Sequence, residues 1–157
     1  MRRSIESYFS EDHDYLIDLF EQYQLCKEIN FSRAKEIFKR FQDRFIQHAQ
    51  WEEDILFPFF EEKTSLRDVG PTIILRVQHD IMKKLLEDIL NKIECRNLST
   101  DRDEKEFSTL FYSHCEKERN TIYPMVDELA EDFEKSDIYQ KIEHLRSKIT
   151  RSSSYHE

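Results

Sequence analysis

The sequence contains few of the residues that build tight turns. Its 157 residues include one glycine and three prolines. A β-sandwich or a β-barrel needs many tight turns that depend on these residues, so their scarcity argues against an all-β fold. Long helices joined by short connections need far fewer such turns. The composition therefore predicts an all-α protein.

Long hydrophobic runs and paired cysteines are also missing. No stretch approaches the roughly 20 apolar residues that a membrane-spanning helix needs, and the first residues lead into acidic positions rather than into the apolar core of a signal peptide. The cysteines are odd in number and widely spaced, which indicates reduced thiols rather than a disulfide framework. They are Cys26, Cys95 and Cys115. We expect a cytoplasmic protein without a membrane partner.

Positive charge is in deficit. The chain carries 24 Lys and Arg against 33 Asp and Glu, a net charge of −9, and an acidic surface repels nucleic acid and anionic lipid. The aromatic content of 13%, with twelve Phe, is too high for a disordered chain. The length fits one compact domain. We therefore predict a single helical domain over residues 1–151 and a flexible tail over residues 152–157.

Capping residues and apolar periodicity predict four long helices and a short fifth one. The predicted helices run from Glu11 to about Ile29 after a Ser10 cap, from a Ser32 cap to about Lys63, from Pro71 through Ile93, from an Asp101–Glu104 cap pair through Phe111, and onward from a Ser136 cap. Short connections favour an up-down-up-down four-helix bundle, with the fifth helix packed across it.

Four of the six histidines fall on the four long helices, one on each, at positions 13, 48, 79 and 114. A shift of 66 residues relates the two halves of this pattern. It maps His13 onto His79, His48 onto His114, Glu52 onto Glu118, and Pro58 onto Pro124. This is an internal repeat of one helix pair. His144 and His156 lie outside the repeat and are not predicted ligands.

The motif His-x-x-x-Glu occurs once in each half, at residues 48–52 and 114–118. Residues i and i+4 share one helix face, about 6 Å apart along the axis, so an imidazole and a carboxylate can reach one metal centre. The surrounding faces are apolar, and a charged Glu there is costly unless it is paired or coordinated. In an antiparallel bundle these side chains would converge. The predicted metal ligands are His13, His48, Glu52, His79, His114 and Glu118.

The number and type of these donors restrict the metal. Imidazole nitrogen and carboxylate oxygen suit iron, manganese or zinc rather than calcium or copper(I), and six ligands are too many for one tetrahedral zinc. They fit two ions that each hold two imidazoles, with both carboxylates and an oxo or hydroxo group bridging. One position then stays open on each ion. Iron, manganese and zinc all stay open on this ground, and open positions on iron in an apolar pocket would bind small ligands such as O2 or NO.

Two motifs resemble those of the hemerythrin-like domain family, also called the HHE cation-binding domain. Residues 48–58 read His-x-x-x-Glu-Glu-x-x-Leu-Phe-Pro, and residues 114–124 read His-x-x-x-Glu-x-x-x-Ile-Tyr-Pro. The resemblance covers about residues 8–134 and implies a four-helix bundle around a non-haem di-iron centre. It assigns His13 and His48 to one iron and His79 and His114 to the other. The two glutamates would bridge them.

Two positions depart from the oxygen-carrying members of that family. Lys83 stands where they place a second third-helix His, and Arg119 where they place Asp after the fourth-helix His. The chain therefore resembles the subgroup with four His and two Glu. Three roles stay open: binding of O2, NO or peroxide in an oxygen or stress response; a redox enzyme of NO reduction, peroxide turnover or iron-centre repair; and an iron-responsive regulatory module without turnover.

Two further pairs of residues allow more than one interpretation. Pro58 and Pro124 would either end their helices or bend them, and the apolar residues that follow favour a bend. Asp14 and Asp80 directly follow histidines and would either orient an imidazole or face solvent. Because i+1 neighbours point away from each other on a helix, we expect both carboxylates to be exposed.

Overall fold

The computed structural model describes residues 3–153, with side chains described as far as residue 148. Its helices are α1 (Ile5–Cys26), α2 (Phe31–Trp51), α3 (Phe57–Thr64), α4 (Pro71–Glu94), α5 (Asp101–Lys117), α6 (Tyr123–Leu129) and α7 (Asp132–Ser153). Two π-helical segments, Glu52–Leu56 and Glu118–Ile122, join α2 to α3 and α5 to α6 without a break. Residues 3–153 contain no strand, and the all-α prediction is confirmed.

The long helices pack antiparallel. Tyr23 in α1 packs on Phe38 in α2 with ring centroids 5.0 Å apart. His13, which comes earlier in α1, packs on His48, which comes later in α2, with ring centroids 4.8 Å apart. Advancing along α1 therefore means moving back along α2. The same order relates α4 to α5, through the pairs His79–His114 and Lys92–Asp103. The up-down-up-down bundle is confirmed.

The fifth helix of the prediction is α7, which packs across α1, the end of α2 and the first π segment. The ring of Tyr139 lies 5.4 Å from that of Tyr8, and the Arg146 guanidinium lies 5.1 Å from the Trp51 ring. The helix begins four residues before the predicted Ser136 cap. Of the predicted tail, residues 152 and 153 end α7 and residues 154–157 lie outside the described residues, so the domain boundary stays a prediction.

The start of α1 differs from the prediction because another helix supplies acceptors for it. The Ser4 hydroxyl caps the helix by accepting a hydrogen bond from the Ser7 N–H at 3.0 Å. Two further N–H groups, those of residues 5 and 6, donate to the Asp127 carboxylate in α6 at 2.8 and 3.0 Å. These bonds satisfy the free N–H groups of the first turn. The predicted cap at Ser10 is wrong.

Two other predicted helix starts are also wrong in detail. Asn30 rather than Ser32 caps α2, and its side chain accepts a backbone N–H three residues further on at 3.1 Å. Asp101 is the first residue of α5 rather than its cap. Glu104, its predicted partner in the cap, is instead buried and accepts a hydrogen bond from the Lys27 ammonium at 2.9 Å. This ion pair joins the end of α1 to the start of α5.

Neither proline ends its helix. Pro58 and Pro124 each follow a π segment and lie in the first turn of the next helix, which continues in both cases. The N–H just before each proline bonds to a carbonyl five positions earlier, that of Glu52 or Glu118. This wider turn accommodates a residue that lacks an N–H donor. The helices therefore do not end at the prolines, and the bend favoured from the sequence stays a prediction.

The interior holds two hydrophobic clusters, and the histidines lie between them. One cluster contains Phe41, Phe45, Phe107 and Phe111, which lie on the helices of the His-x-x-x-Glu motifs; the other contains Trp51, Ile55, Phe57 and Ile122. The predicted apolar faces are therefore buried. Among the described residues, no helix is both long enough and apolar enough to cross a bilayer.

Candidate metal centre

The structure brings all six predicted ligand residues together in the middle of the bundle. Each is at most 3% exposed. They form two groups of four that share both carboxylates, and in each group the possible ligand atoms lie within 4.8 Å of one another. The groups are His13, His48, Glu52 and Glu118, and Glu52, His79, His114 and Glu118. We call them the His13/His48 half and the His79/His114 half.

Each carboxylate has one oxygen placed between the two halves. Oε1 of Glu52 lies 3.3 Å from Nε2 of His48 and 3.2 Å from Nε2 of His79. Oε1 of Glu118 lies 3.2 Å from Nε2 of both His13 and His114. All four imidazoles thus direct Nε2 inward. Two ligands at right angles, each about 2.1 Å from an ion, would lie about 3.0 Å apart, so these separations suit neighbouring ligands of a metal.

The hydrogen bonding of these donors tests whether a cation fits. Among the described residues, the buried atoms without a hydrogen-bond partner include His48 Nε2, His114 Nε2, Glu52 Oε1 and both carboxylate oxygens of Glu118. An unsatisfied buried polar atom costs about 1–3 kcal/mol. Metal ions at this place would satisfy these atoms together, and nitrogen with carboxylate oxygen is a donor set that transition metals favour. The residues therefore fit a metal centre.

The pKa values of the two carboxylates are shifted in opposite directions. Burial and the neighbouring Glu52 raise the pKa of Glu118 well above its usual range. Burial also acts to raise the pKa of Glu52, but the charge of His48 and hydrogen bonds from nearby groups outweigh it and lower that pKa well below its usual range. Two buried acids this close cannot both ionise without compensating positive charge. Metal ions would supply that charge.

The imidazoles also differ in basicity. Burial lowers the pKa of His114 to about 3, and it likewise depresses the pKa of His13. For His48, burial is outweighed by the Glu52 charge and the hydrogen bond to Asp12, which together raise its pKa to about 10. A metal ligand must be a neutral imidazole, so binding requires loss of a proton from His48.

Three of the four imidazoles have an acceptor on their outer nitrogen. Nδ1 of His48 lies 2.6 Å from the Asp12 carboxylate, that of His79 lies 3.0 Å from Glu53, and that of His114 lies 2.8 Å from the Gln78 amide oxygen. Such partners fix the ring and hold Nε2 towards a metal. The sequence analysis assigned no role to Asp12, Glu53 or Gln78. The repeat offered a signal, because positions 12 and 78 precede corresponding histidines.

Near the centre, the exposure of two aspartates agrees with the prediction, whereas a buried tyrosine makes contacts that were not predicted. Asp14 and Asp80 are exposed, as predicted. Tyr123 is fully buried; its hydroxyl lies 3.0 Å from Nε2 of His13 and donates a hydrogen bond to Oε2 of Glu52 at 2.8 Å. The sequence analysis gave Tyr123 no role at the centre. Its equivalent in the repeat is Phe57, and this break in the pattern was the available signal.

The two positions that depart from the oxygen carriers lie at the rim of the centre. The Lys83 ammonium is 3.6 Å from the Glu53 carboxylate, and the Arg119 guanidinium donates to Asp14 at 3.2 Å. Both side chains are about one-third exposed, at 34% and 37%. Each cation is thus paired with a carboxylate outside the shared cluster.

Comparison with known proteins agrees with this geometry. A family model described as the hemerythrin HHE cation binding domain matches residues 4–126. The match spans most of the chain and includes all six clustered side chains. No curated protein and no solved structure matches the chain significantly. The chain belongs to the hemerythrin HHE cation-binding domain family.

Proposed function

We propose that this protein holds a non-haem di-iron centre and binds O2, or a related small ligand such as NO or peroxide, at that centre. His13 and His48 would hold one iron, and His79 and His114 the other. Glu52 and Glu118 would bridge them. The observation that carries the proposal is that both four-residue groups share the same two carboxylates. It supports assigning the chain to the four-His, two-Glu members of the family.

Iron is proposed from the donor set. Imidazole nitrogen with carboxylate oxygen excludes ions that prefer all-oxygen or sulfur sites, and two shared carboxylates exceed the need of a tetrahedral zinc. Such an iron pair supplies electrons and open coordination positions for a small ligand. The chain's own part is to hold the donors at fixed separations and to keep Nε2 of each imidazole directed inward.

The apolar surroundings favour a small uncharged ligand. Aromatic rings pack directly on the imidazoles: Phe111 lies 6.2 Å from His13, and Phe57 is stacked 5.8 Å from His79. These rings keep bulk water from the centre, which strengthens electrostatic interactions inside it. A diatomic molecule loses little hydration on entering such a site. Polar or large substrates would be disfavoured.

The remaining properties suit a role in the cytoplasm. The three cysteines are free thiols in the structure, which suits a reducing compartment. The net charge of −9 argues against nucleic acid and anionic membranes as partners. We therefore infer a cytoplasmic protein, and the proposed O2, NO or peroxide ligands suggest a role in the oxygen response or in oxidative or nitrosative stress.

Metal analysis tests the proposal directly. Protein purified without oxygen should contain two irons per chain, and after oxidation it should show oxo-to-iron charge-transfer bands. His48→Ala should lose iron and these bands. His144→Ala is a matched control, since His144 is exposed and lies outside both groups. A preparation that binds only zinc, or a single ion, would contradict the di-iron proposal.

Ligand experiments separate the roles that the family allows. A stable, reversible, stoichiometric adduct with O2 or NO supports a binding or sensing protein. Continued consumption of NO or peroxide by the wild type, absent in His48→Ala, would indicate a redox enzyme instead. A form that neither binds nor turns over these ligands, yet binds a protein partner only when loaded with iron, would indicate a regulatory module.

A further inference from the structure

The internal repeat is broken at one position that touches the centre. Tyr123 and Phe57 occupy equivalent places, each just before a proline and after a π segment. The Tyr123 hydroxyl lies 3.0 Å from Nε2 of His13. At the equivalent place, the Phe57 ring stacks on His79 with centroids 5.8 Å apart and an interplanar angle of 13°. One half thus has a hydroxyl where the other has an apolar ring.

This hydroxyl makes the two carboxylates inequivalent. Tyr123 donates a hydrogen bond to Oε2 of Glu52 at 2.8 Å, so Glu52 has only Oε1 without a partner. The same hydroxyl lies near Glu118 and acts to lower its pKa, but neither oxygen of Glu118 has a hydrogen-bond partner by distance and angle. Glu118 can offer two oxygens to metal ions. Glu52 can offer one freely, because its other oxygen is held by the phenol.

The hydrogen-bond partners of the outer imidazole nitrogens, Nδ1, also differ between the two halves. Nδ1 of His79 has the Glu53 carboxylate at 3.0 Å. The repeat replaces Glu53 with Arg119, which carries no acceptor, and Nδ1 of His13 is buried without a partner. His13 therefore lacks the orienting bond that His79 has. In the His13/His48 half only His48 has such a bond, whereas both imidazoles of the His79/His114 half have one.

We propose that Tyr123 is a positioning residue that directs small ligands to the His13/His48 half of the centre. This rests on the proposed di-iron function. By holding Oε2 of Glu52, the hydroxyl would keep that oxygen from an ion held by His13 and His48, so a position there would stay open. In the His79/His114 half, Phe57 has no hydroxyl to hold a carboxylate oxygen, and the second oxygen of Glu118 could close the equivalent position.

NO is the probe that tests this assignment. Wild-type protein loaded with two ferrous ions should bind one NO per iron pair tightly, measured by titration with infrared detection of the N–O stretch. Tyr123→Phe should retain two irons but bind NO at least about tenfold more weakly, the scale of one hydrogen bond to a charged group. Tyr112→Phe is the matched control, because Tyr112 is half-exposed on the same helical run.

The reverse substitution supplies an independent result. Under the repeat, the hydroxyl of Phe57→Tyr should hold Glu118 as Tyr123 holds Glu52. A position should then open in the His79/His114 half as well, and a second NO should bind per iron pair. This variant decides the matter if Tyr123→Phe loses iron.

Unchanged NO affinity and stoichiometry in the variants that hold two irons would overturn the proposal while leaving the di-iron function intact. A phenolate-to-iron band present in wild type and absent in Tyr123→Phe would also overturn it, since Tyr123 would then be a ligand. Wild-type protein without two irons would overturn both.

Discussion

At the scale of single residues, Asp12 gives the clearest example of a side chain that acts through a predicted ligand. It is 6% exposed, and its two oxygens serve two partners. Oδ2 lies 2.6 Å from Nδ1 of His48, while Oδ1 accepts a hydrogen bond from the Arg44 guanidinium at 2.5 Å. The arginine compensates the buried charge, and the carboxylate fixes the imidazole. Two residues further on, Asp14 is exposed and its carboxylate accepts a hydrogen bond from Arg119.

Asp12→Asn should therefore weaken metal binding. Loss of the carboxylate that orients a ligating His typically lowers metal affinity about 10–100-fold. Competition against a chromophoric chelator measures this change. Asp14→Asn is the matched control and should leave the affinity unchanged. Equal affinities of the two variants would contradict a role for Asp12 in holding His48.

Tyr23 should make the stability of the protein depend on alkaline pH. Burial, with a contribution from Glu104, raises its pKa to about 12, above the value of about 10 expected in the unfolded chain. The folded state then binds the proton more tightly, so the stabilisation is complete below pH 10 and is lost as the pH rises towards 12.

Urea unfolding of wild type and Tyr23→Phe between pH 9 and 12 tests this expectation. The free energy of unfolding should fall more steeply in the wild type, by an additional amount of up to roughly 2 kcal/mol at pH 12. Parallel profiles would show that Tyr23 titrates alike in both states.

At the scale of elements, the two π segments place Glu52 and Glu118 at the start of a widened turn just before a proline. Because Pro58 has no N–H, it cannot donate to a carbonyl of the first π segment, and that carbonyl lacks its helical donor. Arg76 in α4 donates to the Glu53 carbonyl oxygen at 3.2 Å and to the Glu61 carboxylate at 2.9 Å. One side chain thus joins α4 to the first π segment and to α3.

Arg76→Met should destabilise the fold, because Glu61 is 6% exposed and would lose its cationic partner. We expect the free energy of unfolding to fall by about 1–3 kcal/mol, the cost of leaving a buried acceptor less well satisfied. Arg67→Met, at an exposed loop position, is the control. Chemical denaturation of both variants gives the comparison, and equal stabilities would contradict the role of Arg76.

At the scale of the whole molecule, the proposed centre connects the four helices of the bundle, α1, α2, α4 and α5, since each contributes one imidazole. Ion binding would therefore stabilise the bundle as a unit, and loss of the ions would affect every helix contact at once. The hydrophobic clusters on either side provide the packing that remains. Metal content and global stability should change together.

Acid should release the metal. Protons compete with ions for imidazole nitrogen, and because the pKa of His48 is raised to about 10 this competition already acts at pH 8 and strengthens as the pH drops. Protein equilibrated between pH 8 and 4.5 and then desalted should lose both ions over this range, and its melting temperature should fall to that of chelator-treated protein. Retention of both ions well below pH 5 would count against the four histidines as ligands.

The amino-acid sequence alone was enough to predict the helical bundle and the six clustered side chains. Both depend on regularities that the chain itself carries: apolar spacing, the i, i+4 separation of His and Glu, and the 66-residue repeat. Because each helix contributes one inward histidine at a matching height, antiparallel packing suffices to bring them together. Helix starts were predicted less well, since the first turn of α1 depends on Asp127, which lies 122 residues away from Ile5.

Only the tertiary structure decided how the two halves of the centre differ. The partners of the imidazoles and of Glu52 come from other helices, such as Asp12 for His48 and Tyr123, 110 residues from His13. No local spacing encodes such pairs, because they depend on how the helices rotate and settle against each other. The repeat made the two halves similar, and packing around Tyr123 and Phe57 made them chemically distinct.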